Sequence, residues 1–178
     1  MNAPTVPLST ARHVITRRPT RGGSGPPLLF VHGAWHGAWC WEPFMSYLAE
    51  RGHECHALDL SGHGLRRTGR GPGRTVPLSR YVADVAEAAA SFDEPPLLVG
   101  HSMGALVVQR YLSSRRAPGA VLLAPVPAAG VWSPTWRTAR RHPWPFIKAN
   151  LTWSLWPIVA TPAMARDMLF SPSLPEED

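Results

Sequence analysis

The residues with the most chemistry to offer stand close together in Val99-Gly100-His101-Ser102-Met103-Gly104-Ala105. Gly100, Ser102 and Gly104 form a GxSxG frame, a pattern that composition alone would produce on the order of 0.1 times in a chain of this kind. Its setting is more informative than its letters. It falls between the apolar run Leu97 to Gly100 and an apolar-faced segment from Met103 to about Ser113, so a buried strand hands over directly to a helix. A serine held in such a cramped turn projects its hydroxyl outward, and glycines two positions to either side leave room where any side chain would collide. The chemistry expected is nucleophilic attack on a carbonyl. The helix N-terminus behind the serine offers the Met103 N–H to the charge that develops on the attacked oxygen. A second donor is expected from the loop after the first strong strand, where His32-Gly33-Ala34 places the Ala34 N–H as the candidate.

Stepping along the chain, Leu28 to Val31 is expected to be a buried strand, since it is short, uncharged and followed closely by glycine. Trp41, Phe44, Met45 and Leu48 recur at helical spacing, with Pro43 at a tolerated first-turn position and Gly52 placed to end the helix. Cys55 to Leu60 is a second expected strand. Ser79 to Phe92 is a helix with Val82, Val85, Ala89 and Phe92 on one face, and Ala120 to Ala124 is a further strand. Arg12 to Arg17 adds a weak edge strand. This alternation predicts an α/β fold: a mostly parallel sheet with helices on both faces. The expected organisation is a flexible basic leader over 1–27, a core over 28–130 and a Trp/Pro-rich segment over 131–178. In that last segment Trp132, Trp136, Trp144, Trp153 and Trp156 lie among prolines, which reads as an irregular helical insertion with a large aromatic surface.

Three matching stretches carry a resemblance to a known family: FVHGAW at Phe30 to Trp35, ALDLSGHG at Ala57 to Gly64, and VGHSMGA at Val99 to Ala105. In this order and spacing they resemble the α/β-hydrolase superfamily, and HGAWHGAWCW is similar to its branch of small-molecule esterases and hydroxynitrile lyases. The resemblance implies that Ser102 is the nucleophile, that Ala34 and Met103 form the oxyanion hole, and that esters are hydrolysed with no cofactor and no metal. It also implies that the segment from 131 begins a helical cap. His32, Trp35, Trp132 and Trp136 are then candidates to line the substrate pocket, with His32 and His36 equally able to shape the loop, and an aromatic lining favours an apolar acyl or alcohol group.

The family order is serine, acid, histidine. Between Pro95 and Arg166 there is no Asp or Glu; after Ser102 the only histidine is His142, and the only acids are Asp167, Glu176, Glu177 and Asp178. Neither a triad acid nor a triad base is evident. The expectation is a C-terminally incomplete hydrolase and a poor esterase, with the Ala120 to Ala124 strand left as an exposed edge prone to self-association. Asp59 and Asp84 precede the serine and are expected at strand or helix boundaries. His101 should point away from the turn. His53, Cys55 and His56 are read as structural, because alternation sends Cys55 to the opposite face from its neighbours.

The 178 residues, 44% of them apolar, suffice for one substantial core. The net charge of +6 comes from scattered arginines with no nucleic-acid module, so no nucleic-acid partner is expected. The early arginines have transit-peptide composition, but Pro4, Pro7 and Pro19 would break the helix such peptides form. No apolar run approaches a membrane span, and two cysteines are too few for a disulfide framework, so a cytoplasmic address is expected. Two other functions stay open: a non-catalytic module gripping a small apolar ligand, and a lyase or acyltransferase on the same fold.

Overall fold

The computed structural model describes residues 13–20, 22–23, 25–66, 76–127, 132–152 and 156–170. Five strands form one sheet: β1 (Val14–Arg17), β2 (Leu28–Val31), β3 (Cys55–Leu58), β4 (Leu97–His101) and β5 (Ala120–Leu123). Their order is β1-β3-β2-β4-β5, with β1 antiparallel to β3 and every other pairing parallel. The mostly parallel α/β fold read from the sequence is present, and the weak edge strand is β1. The helices of this part are α1 (Glu42–Ala49), α2 (Leu78–Ala89) and α3 (Met103–Leu112), with a short 3-10 turn, Ala38–Trp41, leading into α1.

Strand alternation sorts the core into two layers. Leu29, Val31, Leu58 and Leu98 face Tyr81, Val85 and Ala88 of α2 and Val107, Val108 and Tyr111 of α3. Leu28, Phe30, Cys55, Ala57 and Val99 face the opposite way, against Ala38, Trp41 and Met45. All four residues of β2 are buried, as a central parallel strand covered on both faces requires. Cys55 lies in the second layer and His56 on the other face, where His56 stacks edge-on against Phe92 with ring centroids 4.7 Å apart. Its Nδ1 lies 3.0 Å from Thr16 Oγ1 and its Nε2 3.1 Å from Glu54 Oε1. No group of His, Cys, Asp or Glu able to hold a metal occurs among the described residues.

From β2 the chain places β3 on one side and β4 on the other, so the strand order reverses between β2 and β4. In an open α/β sheet the loops at the carboxyl ends of two such strands diverge and leave a crevice where ligands bind. Ser102 follows β4 at that end.

The chain divides into two compact units, one comprising Met1–Gly69 with Val76–Ala128, the other Arg70–Thr75 with Ala129–Asp178. The second unit contains α4 (Trp132–Arg141), α5 (Pro143–Thr152), a 3-10 turn at Trp156–Ile158 and α6 (Pro162–Leu169). Thr161 caps α6 by accepting the Met164 N–H. Among the described residues no helix is long and apolar enough to cross a membrane.

Candidate active site

Ser102 is the single residue between β4 and α3, and its backbone sits at φ 52°, ψ −117°. A non-glycine residue in this region carries a strain of roughly 1–3 kcal/mol, which persists only where the surroundings hold it. The holding contacts are visible. Ser102 N–H donates to the Leu123 carbonyl at 3.0 Å, and its own carbonyl accepts from Ala105 and Leu106 of α3 at 3.1 and 3.2 Å. Gly100 and Gly104 make the turn sterically feasible. A Cβ on Gly100 would lie 2.7 Å from Ala105 Cα, and one on Gly104 would run into the carbonyl oxygen of Val31 and stand 2.7 Å from its carbonyl carbon.

The only other described non-glycine residues at positive φ are Trp35 (64°) and Ala124 (42°). Trp35 lies in the loop after β2 and Ala124 immediately follows β5, so all three strained residues lie just beyond the carboxyl ends of adjacent strands. The β2 loop comes close to the serine, because a Cβ built on Gly33 would be 3.2 Å from Ser102 Cβ. Among the described residues neither the Ala34 N–H nor the Met103 N–H has an acceptor. The Ser102 hydroxyl is half-buried and likewise makes no hydrogen bond there.

The histidines nearby are committed elsewhere. His101 points to the α1 side, its ring 6.4 Å from that of Trp41 and 6.2 Å from that of His36, and burial lowers its pKa. His32, a candidate pocket residue, is instead fully buried. Its Nδ1–H donates to the Gly33 carbonyl at 2.7 Å, and its Nε2 accepts the Leu60 N–H at 3.1 Å. Those partners fix one neutral tautomer, and burial pushes the pKa down to about 4. With both nitrogens used, His32 shapes the loop and is not available to a substrate. Trp35 is 41% exposed.

Asp59 and Asp84 are both buried and both structural. Asp84 accepts from the Ser61 N–H and hydroxyl and pairs with Arg66 and Arg80 at 3.0 Å each. Asp59 accepts the Ala38 and Leu65 backbone N–H groups. A groove of about 950 Å³ runs past Val14, Leu29, His56 and Phe92 and includes neither Ser102 nor Ala34 nor Met103.

In the second unit Trp136 is exposed, and the Trp132 side chain lies outside the described residues. That unit holds one pairing that sequence reasoning did not identify: His142 Nε2 lies 2.7 Å from Asp167 Oδ2, while Arg141 reaches Oδ1 at 3.0 Å. The signal was faint, since Asp167 is merely the first acid after His142, 25 residues on.

Against known proteins, the Alpha/beta hydrolase family matches residues 28–177. Over 111 residues the chain is 39% identical to "Probable esterase PIR7A" of Oryza sativa subsp. indica, covering 60% of this chain and 41% of that protein. It is 37% identical over 81 residues to "Methylesterase 3" of Arabidopsis thaliana, covering 44% of this chain and 30% of that one. Among solved structures, an alpha/beta hydrolase fold protein from Burkholderia ambifaria superposes with a TM-score of 0.56 at 25% identity, covering 89% of this chain and 52% of the other. The match thus spans about two fifths or less of the length of these curated relatives.

Proposed function

Since the chain belongs to the alpha/beta hydrolase family, we propose that it is a serine hydrolase acting on small-molecule carboxylic esters, with Ser102 as nucleophile. The observation that carries this reading is the backbone of Ser102: a non-glycine residue at φ 52° between a parallel strand and a helix, with Gly100 and Gly104 closed against neighbouring backbone. Evolved proteins retain such strain where it serves a site. The relatives named as esterases support the substrate class.

In the proposed step the Ser102 hydroxyl oxygen attacks the ester carbonyl carbon. The carbonyl oxygen becomes an oxyanion, and the unengaged N–H groups of Ala34 and Met103 donate to it. One such donor is typically worth about 3 kcal/mol of transition-state stabilisation, because it is fixed in place before charge develops. The alcohol then leaves, and water releases the acid from the acyl-serine. Attack also needs a base for the serine proton, and Ser102 has no histidine hydrogen-bonded to it among the described residues. Turnover by this chain is therefore slow, at roughly the 10³-fold over water that an oxyanion hole and binding give without a triad.

Two free cysteines fit a reducing, cytoplasmic compartment. The test of the function is release of p-nitrophenol from a short-chain p-nitrophenyl ester. Slow release that disappears in Ser102→Ala is expected; a wild type no faster than Ser102→Ala would overturn the reading.

A further inference from the structure

Two carboxylates of the first unit are buried, and only one of them is matched to cations. Asp84 meets two guanidinium groups. The Asp59 carboxylate, 2% exposed, faces backbone amides instead: Oδ1 accepts the Ala38 N–H at 2.6 Å and Oδ2 the Leu65 N–H at 2.9 Å. His13 Nδ1 lies 2.9 Å from Oδ2, but without hydrogen-bond alignment.

Ala38 closes the loop that begins at His32. The other end of that loop is tied by the residue next to Asp59, since Leu60 N–H donates to His32 Nε2 and His32 Nδ1–H holds the Gly33 carbonyl. Asp59 and Leu60 thus grip residues 33–38 at both ends from the tip of β3. Between the two grips lie Ala34 and the strained Trp35. The backbones close to this distance only because two neighbours lack side chains. A Cβ on Gly37 would stand 2.8 Å from Asp59 Oδ1, and one on Gly64, at φ 54°, would run into the carboxylate.

We propose that Asp59 is a positioning residue: its carboxylate holds the 33–38 loop so that the Ala34 N–H meets the oxyanion formed at Ser102. The inference rests on the reading of Ser102 as nucleophile and Ala34 as donor. Asp59 touches no reacting atom. It acts through the loop, and a free-swinging loop would present the same amide in the wrong place.

The experiment compares wild type, Asp59→Ala, Asp59→Asn and the core variant Val85→Ala. The readouts are the rate at which an uncharged fluorophosphonate labels Ser102 and the amide exchange of the peptide spanning 32–38. Val85 is buried between α2 and the sheet, so it reports loss of stability without touching the loop. Asp59→Ala is expected to label about tenfold more slowly, the cost of a donor displaced by a fraction of an ångström. Its loop peptide exchanges faster. Asp59→Asn, which keeps one carbonyl acceptor, lies between it and wild type, while Val85→Ala labels at the wild-type rate. If Asp59→Ala does not fold, Asp59→Asn carries the comparison and is expected several-fold slower than wild type. Equal labelling in wild type and the Asp59 variants, an equal loss in Val85→Ala, or unchanged exchange of the loop peptide would overturn the proposal. A wild type that takes no label at Ser102 overturns the nucleophile reading instead, and the exchange data still decide whether Asp59 holds the loop.

Discussion

Lowering the pH should unlock the loop beside Ser102 through one side chain, His32. Its ring is buried and neutral, with Nδ1–H on the Gly33 carbonyl and Nε2 accepting from Leu60. Protonating Nε2 would set a second N–H against the Leu60 N–H and place a charge in the core. Burial accordingly lowers the pKa from 6.5 to about 4. The sign follows from linkage: between those values the unfolded chain binds the proton and the folded chain does not, so stability falls as pH falls. The contribution is fully present above about pH 6.5, is lost progressively below it, and is gone near pH 4. At 1.36 kcal/mol per pH unit, the interval is worth about 3 kcal/mol. His56 and His101, whose pKa values burial also lowers, add to the slope in the same direction. Urea unfolding of wild type and His32→Gln at several pH values isolates the His32 share. The variant is less stable at pH 7.5, and the gap between the two narrows by about 3 kcal/mol by pH 4. A gap that stays constant over that range would refute the reasoning.

Gly104→Ala should destabilise the chain by about 3 kcal/mol or more, since the added methyl meets backbone of Val31 and His32 and not a side chain that could turn aside. A urea midpoint equal to that of wild type would contradict this. At the sheet edge, all four residues of β5 are exposed and its outer side is unpaired among the described strands. Wild type is expected to self-associate as concentration rises, and Val121→Lys to shift sedimentation toward monomer, as a lysine on an edge strand does. A wild type that stays monomeric across the range would remove that expectation.

The sheet was legible because burial on both faces leaves an uninterrupted apolar signature. Leu28 to Val31 and Leu97 to Gly100 carry it; the first forms where the residues indicated, and the second runs one residue further, to His101. Strand β3 ends at Leu58, two residues short of the expected Cys55 to Leu60, because Asp59 and Leu60 turn their groups to the neighbouring loops. The elbow at Ser102 was legible for a related reason: a turn this tight admits glycine at Gly100 and Gly104 and leaves that requirement in the sequence. Of the two roles open to His32, shaping the loop or lining the pocket, the structure shows the first; the letter alone could not choose, since it does not say whether the nitrogens face solvent or are consumed by backbone. The His142–Asp167 pair was missed on the same account, because contacts across 25 residues leave no periodicity. Asp59 was correctly placed near a strand end, but its grip on Ala38 depends on how two loops meet.

The account stands on Ser102 being the nucleophile beside a preformed pair of oxyanion donors, and peptide mapping after prolonged fluorophosphonate treatment, long enough for a serine with no histidine base, tests that most directly. It predicts one adduct, on the peptide containing Ser102, formed at neutral pH and absent from Ser102→Ala. No adduct on that peptide, or adducts spread over other serines and tyrosines at comparable rates, would contradict it.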